Sequence, residues 1–115
     1  MMTDKDPERI ATLVAEWLDG RDDGEMFDAC TENPEAAWQV ILTLVDRELT
    51  EDQVADLAAG PMEDLLVWHG SRFIDRVEEK ATTDTRFNFL LGGVWRREMP
   101  QQIWDRVVKV RKQVW

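Results

Sequence analysis

The stretch Leu57–Gly70 reads LAAGPMEDLLVWHG, and its reading decides how the chain is divided. Gly60-Pro61 is a pair that ends one helix and opens another. Glycine past a helix end takes the left-handed closing conformation, and proline suits the first position of a new helix. A short helix is therefore expected from Pro61, with Met62, Leu65 and Leu66 turned inward and Gly70 closing it. Glu63 and Asp64 then fall in its first turn, where open amides and the positive end of the helix dipole stabilise an acid by about 0.3–1 kcal/mol. His69, the only histidine, falls in the last turn, where a cation is favoured. The two acids precede His69 by six and five residues, spacings that do not share a helical face. Together they offer two metal ligands at best, against the roughly four that zinc takes. The stretch reads as a corner between helices, and a small enzyme using Glu63, Asp64 and His69 is the lesser alternative.

Helix signals continue on both sides. Asp6-Pro7 is an N-cap followed by a first-turn proline, and Ile10, Leu13, Val14, Trp17 and Leu18 make the apolar stripe that Gly20 stops. Arg21–Glu32 is polar and holds either a short helix around Met26 and Phe27 or a loop. Asn33-Pro34 repeats the opening device ahead of Trp38, Ile41, Leu42, Val45 and Leu49. Thr50-Glu51-Asp52-Gln53 matches a capping box, and Val54, Leu57 and Ala58 form the apolar edge behind it. Beyond Gly70, Ser71 reads as the cap of a fifth helix marked by Phe73, Ile74, Val77 and Ala81. Phe87, Leu90 and Leu91 mark a sixth. After Gly92-Gly93 and Met99-Pro100, the residues Ile103, Trp104, Val107, Val108 and Arg111 mark a seventh. The two glycines sit where backbones approach closely or the chain reverses; no phosphate-loop pattern surrounds them. The expected fold is all-α: a single domain over residues 1–115, of about six to seven short helices in antiparallel hairpins.

Composition fits a folded globular protein, with 43% hydrophobic and 33% charged residues. Six tryptophans and no tyrosine make tryptophan the main aromatic anchor. The single cysteine, Cys30, excludes an intrachain disulfide and reads as buried filler. The early residues hold no signal-peptide apolar run, and the longest apolar run, Leu65–Trp68, is far too short to span a membrane. A soluble cytoplasmic protein with no metal and no cofactor is expected.

The net charge of −10 is unevenly spread. Residues 1–70 carry 18 acids and 4 bases, while residues 71–115 carry 6 acids and 10 bases. The acidic part repels phosphate and suits a cationic partner. In the basic part, Arg96, Arg97, Arg106, Lys109, Arg111 and Lys112 alternate with Trp95, Trp104 and Trp115. That pattern can bind nucleic acid. Pairing with acidic helices is the simpler use, so direct nucleic-acid binding is not expected.

Three segments, LAAGPMEDLL (57–66), FIDRVE (73–78) and RFNFLLGGVW (86–95), carry a resemblance. Together they resemble an uncharacterised family of small, acidic, all-helical bacterial proteins, a conserved domain of unknown function, over about residues 34–108. The resemblance implies the helical fold and a bacterial cytoplasm, and brings no catalytic residues. Met62, Trp68 and Asp84-Thr85 depart from its pattern, and an exposed Trp68 implies a contact surface particular to this chain.

The function expected from these readings is a non-enzymatic module for a basic protein partner, such as a toxin or a nucleic-acid-binding protein. An immunity, antitoxin or inhibitor role fits that description. The partner-facing acids are Asp19, Asp22, Asp23, Glu51, Asp52, Asp56, Glu63 and Asp64, joined by Asp4 and Glu8. Trp68, Trp104 and Trp115 are the candidate interface aromatics. A homo-oligomer in which acidic and basic regions of neighbouring subunits meet is the alternative.

Overall fold

Asp6 opens the chain's first helix as the sequence predicts: its carboxylate accepts from the Glu8 and Arg9 amides at 3.0 and 3.2 Å. Helix α1 (Pro7–Leu18) then presents Leu13 and Val14 to the interior. The computed structural model describes residues 6–115. The ambiguous polar segment forms a helix, α2 (Glu25–Glu32), which buries Met26, Ala29 and Cys30. Helix α3 (Pro34–Val45) is the most buried element, and its Trp38 packs against Phe73 and Phe87 at ring separations of 5.8 and 5.7 Å. The capping box forms as expected, with Thr50 and Gln53 satisfying each other's amides at the start of α4 (Glu51–Leu57).

The corner expected at Gly60-Pro61 does not exist. Gly60 is not in the left-handed region, and the chain passes from α4 through a π-helical turn, Ala58–Met62, into α5 (Glu63–Thr83) without leaving helical backbone. Proline lacks an amide proton, and its ring collides with the carbonyl four residues back in a regular α-helix. A π turn widens the ladder locally and relieves that collision. A break falls where the sequence expects one, although at His69 rather than at Gly70: the 21 residues of α5 join two helices across a kink at His69, whose φ of −137° and ψ of 28° are not helical. The glycine serves packing instead. A Cβ on Gly70 would lie 3.0 Å from Ile103 Cγ2, so its bareness lets the last helix approach.

Helix α6 (Thr85–Leu91) is capped by the Asp84 carboxylate, and α7 (Gln101–Val110) lies back along α5. Counting Glu51–Thr83 as one run, six helical runs make up the fold, with no strand among the described residues. They enclose one hydrophobic core. The radius of gyration is 13.1 Å, against about 13 Å expected for this length.

After α7 the chain folds back on itself. Buried Asn88 ties this region together: its amide donates to the Ala81 and Val110 carbonyls at 3.1 and 3.0 Å, and its carbonyl accepts from the Lys112 amide at 2.9 Å. Trp115 stacks on Phe89 at 5.2 Å, and its ring N–H donates to the Phe89 carbonyl at 2.7 Å. The ring covers Gly92-Gly93, the close approach that the double glycine implies. A Cβ on Gly93 would come within 2.4 Å of it, and one on Gly92 within 2.5 Å of the Gln113 carbonyl. Gly93→Ala should therefore cost about 1–3 kcal/mol by expelling the tail. In a Trp115→Ala background the same change should cost almost nothing, and a denaturant double-mutant cycle reads that coupling. Equal costs in both backgrounds would remove the tail as the reason for the glycine.

Candidate functional site

The residues of the opening stretch are sent to three different neighbours. Glu63 is only 3% exposed. Its carboxylate accepts from the Trp95 amide at 3.0 Å and lies 3.6 Å from Arg97 Nε. Burial pushes its pKa up, against the lowering effect of the Trp95 amide and the Arg97 charge. Asp64 accepts from Arg97 at 2.6 Å. Both acids thus hold the α6–α7 loop, in which Arg97 takes a left-handed φ of 48°. Their placement by an open helix end is corrected accordingly: the amides of this turn belong to a continuing helix. His69 ends the first of the two helices joined in α5, as the sequence places it, and its Nε2 lies 2.8 Å from the Thr31 carbonyl. A carbonyl only accepts, so Nε2 carries the proton and closes the end of α2. Among the described residues no group of three or more His, Cys, Asp or Glu could hold a metal ion.

Cys30 is fully buried, and burial pushes its thiol pKa up. Its Sγ lies 3.5 Å from the Pro61 carbonyl in the π turn. A nucleophilic cysteine needs the opposite environment, accessible and electropositive.

The acids of the first part do gather. Asp22 and Asp56 line one cleft of about 290 Å³ with Trp17 and Leu18, between the end of α1 and the flank of α4. Glu51 and Asp52 are exposed in the first turn of α4, and Asp23 is exposed ahead of α2. Asp19 pairs with Arg21 at 2.8 Å, and Asp22 also accepts from the Met26 amide at 2.9 Å. Glu63 and Asp64 are spent on the Arg97 loop and separate from this set, while Asp4 lies outside the described residues.

Of the three candidate interface tryptophans, Trp68 alone is free of an internal role. It is 57% exposed and meets Phe27, itself 46% exposed, edge to face at 6.5 Å. Trp104 is half-buried beneath the Arg111 guanidinium at 4.8 Å, and Trp115 is folded onto Phe89. The sequence leaves Phe27 in either a short helix or a loop and does not point to this pair. Its only signal was an apolar residue next to Met26, on the opposite side of a short helix. The basic part is largely committed. Arg72 and Arg76 both pair with buried Glu35, at 3.0 and 2.8 Å, and Arg106 pairs with Asp75 and Glu78. The Arg106 charge holds Glu78 below the usual carboxylate range.

Because Glu63 has a raised pKa in the fold, the folded chain binds its proton more tightly than the unfolded chain does. Its ionised form therefore costs stability at neutral pH, and the cost is relieved as pH falls through the folded pKa towards 4.5, the ordinary value. Wild type should accordingly gain stability relative to Glu63→Gln over that fall, as read by urea unfolding at pH 7 and 5. Glu63→Ala, which strands the Trp95 amide, should cost about 1–3 kcal/mol at pH 7, and Glu63→Gln clearly less. Identical pH profiles for wild type and Glu63→Gln would refute the shift.

No curated protein and no solved structure matches this chain. A family model does, over residues 8–114, which extends the likeness well ahead of the Pro34 start that the three segments implied. With nearly its whole length matched, the chain belongs to DUF6869, a family of unknown function.

Proposed function

We propose that the chain is a non-enzymatic protein-binding module that meets a basic partner through an acidic surface anchored by aromatics. The carrying observation is the exposed Phe27–Trp68 pair. Two large aromatic rings in contact with each other and open to water are costly unless something covers them, and such residues dominate binding energy at interfaces. Just ahead of α2, the cleft of Asp22, Asp56 and Trp17 suits a lysine or arginine side chain. Exposed Asp23, Glu51 and Asp52 extend the negative field around it. An immunity or antitoxin-like role, covering the basic site of a nuclease, fits this chemistry. Enzyme action has no such support, because Glu63 and Asp64 are both spent on the Arg97 loop while His69 is turned to the Thr31 carbonyl.

The test is a tagged pull-down from the native cell at low salt, with a salt step for elution and calorimetry on whatever protein is released. The reading expects one basic protein. Trp68→Ala should weaken it by about 30-fold, and Asp52→Lys with Asp56→Lys should flatten its salt dependence. An affinity unchanged between low and high salt would sink the acidic surface. An affinity indifferent to Trp68→Ala would sink the aromatic anchor.

The homo-oligomer reading finds support in Trp95, which is 71% exposed beside the Arg97 loop. Light scattering that shows a dimer dispersed by Trp95→Ser would favour it.

A further inference from the structure

Where α3 ends, α4 passes and α6 begins, the fold leaves a pocket of about 480 Å³. This lies within the roughly 300–1,000 Å³ typical of small-molecule sites. Val45, Leu57 and Leu90 are buried and form its floor, while Leu49, Val54 and Phe89 form half-open walls. Two arginines, Arg47 and Arg86, line it as well, and both are exposed, which places their charges at its mouth. They come from elements distant in sequence, one just past α3 and one in α6.

These two cations differ from the committed arginines of the molecule. Arg72, Arg76, Arg97 and Arg106 each sit on a carboxylate. Neither Arg47 nor Arg86 is held by one among the described residues. Arg86 donates one long bond, 3.4 Å, to the Asp46 carbonyl at the end of α3, which steadies its stem and leaves most of its donors open. Two guanidinium forks over an aliphatic and aromatic floor favour a ligand with an anionic head and an apolar body. Glu48 also lines the pocket and Asp46 is exposed beside it, so the site does not carry enough excess positive charge for a polyanion. The net charge of −10 opposes a polyanion further. We infer that the α3–α4–α6 pocket binds a free apolar monocarboxylate, its head between Arg47 and Arg86 and its chain on Leu49, Val54 and Phe89.

This inference is independent of the partner-binding reading, since it uses none of the same residues. The test is calorimetry of the full chain with octanoate, decanoate, decanol and decyltrimethylammonium, followed by methyl and aromatic NMR with decanoate. One saturable site is expected, about fourfold tighter for each added methylene. Decanol should bind at least about tenfold more weakly than decanoate. Arg47→Gln with Arg86→Gln should bring decanoate down to the decanol level, with an unchanged circular dichroism spectrum because both side chains are exposed. Shifts should centre on Leu49, Val54 and Phe89. The inference is overturned if decanoate fails to saturate, if decanol or the cation binds equally well, or if the double variant binds like wild type. It is also overturned if the shifts fall on Ile10, Val14 and Leu18, which line the neighbouring groove of about 780 Å³ between α1 and α3 that Arg47 also borders.

Discussion

Pro61 has no amide proton to give the helix that contains it, and the molecule is arranged around how that deficit is met. The π turn from Ala58 to Met62 lets the backbone pass the proline and keep its direction, joining α4 to α5 as one helical path. Leu57, Ala58, Met62, Leu65 and Leu66 are then buried in sequence along the junction, followed by Phe73, Ile74 and Val77. A true corner at Gly60 would have rotated these side chains out of a common interior. Helices α2, α3, α6 and α7 all contact α5, so the geometry of this passage sets where each of them lies.

Charge is sorted by the same architecture. The cations of the later part are drawn inward against α3 and α5 acids: Arg72 and Arg76 close over Glu35, Arg97 over Glu63 and Asp64, Arg106 over Asp75 and Glu78. The acids around α1, the start of α2 and α4 have only Arg21 among these pairs to offset them. Ion pairs among the described residues therefore take up five of the ten arginines and leave the negative excess at the surface. At solvent-exposed pairs such as Arg106–Glu78 the net stabilisation is modest, because water screens the charges. Their greater effect is to fix which faces stay negative.

Local signals in the sequence were read correctly where one residue type has one physical job. The Asp6 cap, the Thr50–Gln53 capping box and the Trp38 stripe as far as Val45 all depend on neighbours within a turn or two, whereas Leu49 of that stripe lies beyond the end of α3. Gly92-Gly93 was legible as a close approach, although the ring that fills it comes from Trp115. Gly60-Pro61 does not mark the corner expected of it, because glycine and proline have several uses and the choice lies with distant residues. The break expected at Gly70 falls one residue earlier, at His69. Ile103 needs the bare Gly70, and the buried run on both sides of Pro61 keeps the helix going. Asn88 and Glu35 carried no signal, since the groups they satisfy lie at separations of 7 to 41 residues. Trp68 was legible as a surface tryptophan, but its partner Phe27 was not, because α2 had no clear stripe of its own.

The burial of Cys30 has a consequence for how this surface can be watched. Its sulfur is sealed between α2 and the π turn, against the Pro61 carbonyl, and its raised pKa keeps it a thiol rather than a thiolate. A disulfide reagent can react only when the fold opens around it, and an opening that lifts α2 from α5 also separates Phe27 from Trp68. The native thiol is thus a built-in clock for local opening. Its labelling rate sets an upper limit on how often α2 lifts, without a probe having to be added to the surface itself.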